Sequence, residues 1–435
     1  MRNNEARSES GIAHLLFIIV IAAVLAVAGF AGWQVYKKQR GYHPLQQTAG
    51  NYSANASNAA NSNWNSPQIG EVTEALSMPS CQGTNLFSSP VVDPATIGYI
   101  DPLGHTSSYN GNAGHVIPVD HMYFNFRHTD PNDFTSPTLP TTVLSPGNLE
   151  IFQVKSVTYI NNSTKAVTGH DYTLYMAPCK EVTVYLGHID TISQTIQSAV
   201  DQATGDKKYC QPDNVMDGTI FRSCTYAMLL NVKAGDQIGA AGGSGISTMA
   251  FDFGVYDMRI KSLPFIDQKY WTTQNLHTVC GLNYYPNGAV KTAQFQKVKN
   301  TKLANGLPDC GTNMWDKAGT IQGNWVLPGT PTGPVPDQPG LAIVPYNNDP
   351  SQGDLDWGGT IAPADRILFK MVSSGIINRD PSQVTPDGKI YCYDSSTYNG
   401  RIVLQLADTN TLKIERQRGS CPASPSFTNP TTYVR

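Results

Sequence analysis

From residue 148 onward, apolar and polar positions alternate with a period of two. NLEIFQVKSVTYI (148–160) carries the alternation broken by turns. HDYTLYMAPC (170–179) sets Tyr172, Leu174 and Met176 on one face, and EVTVYLGHI (181–189) does the same with Val182, Val184 and Leu186. Short alternating runs at this spacing predict an antiparallel sheet or sandwich. HMYFNFRHTD (121–130) repeats the pattern through Met122, Phe124 and Phe126, enough for a core-facing strand. One stretch departs from it: in DTISQTIQSAVDQAT (190–204), Ile192, Ile196 and Val200 recur every four residues, a single apolar stripe that predicts a helix.

WVLPGTPTGPVPDQPG (325–340) is a linker or a long turn, and a second strand-rich unit follows it. GLAIVPYNN, RILFKMV, KIYCYD, GRIVLQLAD and TLKIERQ are its strands; with GTIQGNW (319–325) before them they resemble a small β-barrel. In QGDLDWGG, Asp354 and Asp356 lie two apart, so one strand face could present both. The reading preferred here is a solvated polar loop.

The first 80 residues follow other rules. Residues 12–33, IAHLLFIIVIAAVLAVAGFAGW, run for 22 positions without a formal charge apart from His14. At about 1.5 Å per residue such a helix crosses a bilayer, and Trp33 stands at its end as an interfacial anchor would. The expectation is a single-pass membrane anchor over 1–40. A pilin-like leader is the alternative, with Gly11 at the cleavage point but Leu16 where such a leader carries Glu. Residues 41–80 are rich in Asn, Ala and Ser and read as a flexible stalk. Arg2 and Arg7 before the span and Lys37, Lys38 and Arg40 after it leave the positive-inside rule undecided.

Cysteine decides the compartment. All eight cysteines lie after the span and none forms a C-x-x-C pair, which predicts four disulfides in an oxidising, extracytoplasmic space. Proximity suggests Cys210–Cys224 and Cys392–Cys421. The formal net charge of −3 offers no broad basic face, so nucleic acid is not an expected partner.

The sequence holds no Walker loop, and GGSG (242–245) is not a nucleophile elbow. A different set of motifs stands out. GHVIPVDHMYF (114–124), TTVLSPGNLEIF (141–152), VYLGHIDTIS (184–193), VKAGDQIGAAGGSG (232–245) and AFDFGVYD (250–257) follow one another in order. Over about 99–258 this series resembles the lysostaphin/LytM-type zinc endopeptidases that cut peptidoglycan cross-bridges. The glycine run with DQIG is its most specific piece. In that family a His and an Asp of the first motif and the second His of a His-Leu-His strand bind zinc. A His of the third motif and the first His of His-Leu-His activate the zinc-bound water.

Carried over by position, the resemblance keeps His188 as the third-motif histidine. Ala250 replaces its catalytic partner and cannot move a proton. Asp252 replaces a zinc-ligating His. His115 and Asp120 stand at the first motif, five apart rather than four, a slip that puts side chains of one strand on opposite faces; His121 is the neighbouring alternative. The resemblance thus implies either a metal set of His115, Asp120 (or His121) and Asp252, or no metal. The second is preferred: no cofactor, with zinc as the exception, and Ala250 and Asp252 simply continuing a strand whose Phe251 and Phe253 pack on the other face.

The expected fold class is mainly β: a LytM-like antiparallel β-sandwich over 81–325 with an insertion at 190–231, then a β-rich unit over 340–435. The expected function is a membrane-anchored, non-catalytic module of the cell envelope binding peptidoglycan peptide or an envelope protein. The alternatives are a divergent zinc metallopeptidase and a pilin-like or structural surface protein.

Overall fold

A computed structural model describes residues 78–108, 114–243, 250–299, 310–335, 337 and 339–435. The anchor read at 12–33, nearly all of the stalk read at 41–80 and the pilin-like leader lie outside the described residues. Among the described residues no helix is long and apolar enough to cross a membrane.

The chain is mainly β, with antiparallel sheets throughout. Its strands are β1 (Ile97–Asp101), β2 (Met122–Phe126), β3 (Thr141–Leu144), β4 (Leu149–Asn161), β5 (Val167–Cys179), β6 (Val182–Ile189), β7 (Thr191–Ile192), β8 (Lys208–Cys210), β9 (Asn214–Met216), β10 (Thr219–Val232), β11 (Gln237–Ala241), β12 (Ala250–Asp257) and β13 (Thr278–Val279). The large sheet runs β1-β2-β12-β6-β5-β4-β10-β8, with β13 beside β12 and β9 beside β10; a small sheet runs β3-β11-β7. Val143, Ile238 and Ala241 of the small sheet join the apolar face of the large one in a single core. That face is built as the alternation predicts: Phe124, Leu174, Val184, Leu186, Phe251 and Phe253 are all fully buried.

The expected helix forms as Gln194–Gln202. Ser193 caps it by accepting from the Ile196 N–H, and Ile196 and Val200 are its buried residues. The stretch read as an insertion also contains β10, which pairs with β4 along its length and is integral to the large sheet.

β14 (Gly323–Trp325), β15 (Leu341–Tyr346), β16 (Asp349–Trp357) and β17 (Asp365–Lys370) form one further sheet, and β18 (Tyr391–Asp394), β19 (Arg401–Asp408), β20 (Thr411–Gln417) and β21 (Thr431–Val434) another. The two share a second core that runs from Ile321 to Tyr433 and includes Trp325 and Trp357.

The solvated-loop reading of Asp354 and Asp356 is corrected here. Both lie on β16 and are 1% and 0% exposed. The Asp-Leu-Asp-Trp alternation is that of a strand whose polar side is covered by another part of the chain. Thr106 Oγ1 donates to Asp354 Oδ2 at 2.8 Å, and the Ser108 N–H donates to Asp356 Oδ2 at 3.1 Å.

Four disulfides form: Cys81–Cys179, Cys210–Cys224, Cys280–Cys310 and Cys392–Cys421. Both pairs suggested by proximity are among them. Cys210 and Cys224 are direct cross-strand partners of β8 and β10.

Candidate functional site

The alternation that sends Phe251 and Phe253 into the core turns Asp252, Gly254 and Tyr256 to the other face of β12. On that face Tyr175, Tyr185 and Gly254 are successive cross-strand partners of β5, β6 and β12. The Tyr175 and Tyr185 rings lie edge to face, 5.5 Å apart, and the missing side chain of Gly254 leaves room for the Tyr256 hydroxyl and His121. Asp252 lies opposite Gly187 of β6. A Cβ on Gly187 would come within 2.8 Å of Asp252 Oδ2 and 2.7 Å of the Tyr185 hydroxyl, so this glycine makes room for the carboxylate.

His188 breaks the pleat. Strict alternation from core-facing Leu186 would send it into the core as well. Instead its φ is +58°, in the left-handed region, and Ile189 takes the core position. The phase of β6 slips by one residue and the imidazole emerges on the Asp252 side. A side chain in that conformation costs about 1 kcal/mol, which glycine avoids. His188→Gly is therefore expected to be about 1 kcal/mol more stable than His188→Ala, both lacking the imidazole, as measured by urea unfolding.

The result is an alternating chain of carboxylates and imidazoles. Asp171 Oδ2 lies 3.0 Å from His188 Nδ1, and His188 Nε2 lies 3.5 Å from Asp252 Oδ2. On the other side of the same carboxylate oxygen stands His121 Nε2 at 3.6 Å, and His121 Nδ1 is 3.0 Å from Asp120 Oδ1. Tyr185 donates to Asp252 Oδ2 at 3.1 Å, and Asn275 Nδ2 donates to Asp120 Oδ2 at 2.9 Å. Asp252 is 2% exposed and His121 9%.

Each imidazole is thus flanked by two carboxylates, which favour its charged form. Burial opposes a charge on His188, but Asp252 and Asp171 outweigh it and push its pKa up to about 10. Burial likewise opposes a charge on His121, and Asp252 and Asp120 raise its pKa against it. Loss of solvent lowers His115, partly offset by Asp337. Burial holds the neighbouring His105 down to about 3. Beside the chain is a cavity of about 200 Å³, walled by Asp120, His121, Tyr175, Tyr185, Tyr256 and Asn275.

The structure brings His188, Asp252 and His121 together. Asp120 stands behind His121, hydrogen-bonded to its far nitrogen. His115 is close, with its ring 6.1 Å from that of His121, but its Nδ1 faces Asp337 at 3.9 Å. His115 and Asp120 lie in the segment before β2 rather than on a shared strand, so the five-residue spacing does not place them on opposite faces. Ala250 sits at the start of β12 opposite Asn125. Sequence reasoning missed Asp171, Tyr185 and Asn275. Asp171 and Tyr185 had a signal, since each sits at even spacing from a residue on the polar face; Asn275 had none.

Zinc does not fit the arrangement as it stands. Tetrahedral zinc holds donors about 3.3 Å apart. Among the described residues, the one set of three or more His, Cys, Asp or Glu donors lying mutually within 4.8 Å is Cys81, Cys179 and Glu181, and those cysteines form a disulfide. His121 and His188 each approach Asp252, so it is their two Nε2 atoms that stand too far apart. Two buried atoms, His121 Nε2 and Asp252 Oδ1, have no partner at hydrogen-bond distance.

Comparison of the chain with protein-family models, curated proteins and solved structures returned no match.

Proposed function

We propose that this chain is a non-catalytic binding module of the cell envelope, with a LytM-like β-sandwich whose polar sheet face receives extended peptide. One observation carries the reading. The carboxylate of Asp252, standing where the resembled peptidases place a zinc-ligating histidine, lies between the Nε2 atoms of His121 and His188, at 3.6 and 3.5 Å. With Ala250 beside it, the face keeps its shape and tyrosine rings but lacks the pair of bases that would activate water. The four disulfides support an extracytoplasmic location, where peptidoglycan or an envelope protein would be met. A single-pass anchor over 1–40 would hold the module near the membrane.

A divergent zinc peptidase is the second reading. It is favoured by the carboxylate on Nδ1 of both imidazoles, a pattern common behind metal ligands. One experiment separates the two. Full-length protein, purified without chelator, is assayed for metal and then incubated with purified peptidoglycan sacculi. The proposed reading expects zinc well below one per chain, co-sedimentation with the sacculi, and no release of soluble fragments. Stoichiometric zinc with fragment release would establish the second reading; failure to sediment would remove peptidoglycan as the ligand.

A further inference from the structure

The segment between β1 and β2 delivers Asp120 and His121 to the site, and it is held from outside the first core. Asn348 Nδ2 donates to Asp101 Oδ1 at 2.6 Å, and Asn347 Nδ2 donates to the Pro102 carbonyl at 3.1 Å. Arg366 Nη1 donates to the Thr106 carbonyl at 2.6 Å, while Asp354 and Asp356 hold Thr106 and Ser108. Farther along, Asp337 Oδ1 accepts from the Val116 and Ile117 N–H groups at 2.9 and 3.2 Å. Val116 packs on Ala364, both essentially buried. All the gripping residues come from the chain after the second core begins. The gripped ones lead to His121, one residue before β2 starts; the Val119 N–H donates back to the His105 carbonyl at 3.1 Å, tying the end of the segment to its gripped part.

We propose that the C-terminal unit, with the 325–340 connection that leads into it, is the positioning element of the site: through Asp337, Asp354, Asp356 and Arg366 it holds the β1–β2 segment so that His121, backed by Asp120, meets Asp252. Loosening that hold unmakes the ion chain at its His121 end. His188 and Asp171, carried by β6 and β5, are untouched. The inference rests on geometry alone and stands whether the site binds peptide, metal or neither.

The grip has a built-in charge imbalance. Asp354 and Asp356 project from one face of β16, with Arg366 the cross-strand partner of Asp356 and its Nη1 3.8 Å from Asp354 Oδ2. Tyr346 of β15 lies under the guanidinium at 5.4 Å. From the gripped segment come the hydroxyl of Thr106, the N–H of Ser108 and His105, the last held neutral by burial. Two buried carboxyl groups therefore face one cation. Burial raises both acids, and the charge of Asp354 raises Asp356 further. A group whose folded pKa is raised in this way binds more protons folded than unfolded, so its contribution falls as pH rises from the ordinary carboxylate range toward the folded value. The hold is strongest in acid, and Asp356→Asn, which keeps an acceptor for Ser108, is expected to reduce the decline to the part due to Asp354.

The test uses full-length protein with ¹³C-labelled histidine, titrated by NMR, with His121→Gln and His188→Gln assigning the two signals. In Arg366→Met the His121 midpoint is expected to fall toward 6.5, with no fall in the His188 midpoint and far-UV circular dichroism retained. Arg366→Lys restores part of the shift. Should Arg366→Met unfold, Asp337→Ala, which removes the acceptor of the Val116 and Ile117 N–H groups, carries the same expectation. An unchanged His121 midpoint, although hydrogen exchange at Ser108 and Val116 has accelerated, would overturn the proposal. So would parallel falls of both histidines, which mark general loosening.

Discussion

Asp252→Ala is expected to cost about 3 kcal/mol of folding stability at neutral pH, because it takes the shared carboxylate from the buried His121 and the partly exposed His188. Tyr185 loses its acceptor in the same step. The cost should depend on pH in a set direction. His188 is raised to about 10 from an ordinary value of about 6.5. Stability from a raised histidine is fully present below its unfolded pKa and is lost as pH climbs through its folded pKa. In the wild-type protein that loss falls between about pH 6.5 and 10. Its size is on the order of 1–2 kcal/mol, discounted because the imidazole is partly exposed and screened. The gap between wild type and Asp252→Ala should therefore narrow as the pH is raised. Urea unfolding at pH 6.5 and pH 10 measures it. An equal gap at both values would mean that Asp252 is a packing residue and the two imidazoles are uncharged.

The second large effect concerns Cys81–Cys179, whose partners are 98 residues apart. Closing so long a loop restricts the unfolded chain by about 4–5 kcal/mol, against about 3 kcal/mol for the 14-residue separation of Cys210–Cys224. The double alanine variant at 81 and 179 is expected to unfold at a clearly lower urea concentration than the variant at 210 and 224. Cys81 is also held by its N–H, which donates to Glu181 Oε2 at 2.8 Å, so the bridge and this bond together secure Cys81 to the turn between β5 and β6. The reverse order of midpoints would show that the native-state cross-link between β8 and β10 outweighs loop entropy.

The strands that build the site were legible because one face of each is apolar and the pleat has a strict period. β4, β5, β6, β12 and the helix at Gln194–Gln202 all appear where the patterns put them. The site residues were legible by type and order, but their roles depended on where the pleat slips. Nothing in VYLGHI announces that His188 takes a left-handed conformation, and without it the imidazole would point into the core. Asp354 and Asp356 were misread for another reason. Alternation tells that one face of a strand is polar, but not whether water or another part of the chain lies against it. The gripping residues lie some 220–260 positions from their partners, and no local pattern records a contact of that kind.

The tyrosine rings and the ion chain draw on the segment before β2 and on β5, β6, β12 and the short helix at Thr273–Leu276, elements spread over more than 150 residues. Contacts of such separation form only after the intervening chain has been ordered, and chains dominated by them fold slowly. His121 and Asp252 can face each other only once the large sheet has closed from β2 to β12 to β6. A partly folded molecule can therefore show strands and even the hairpin of β4 and β5 while presenting no binding face at all. Whatever the face recognises will distinguish finished molecules from unfinished ones.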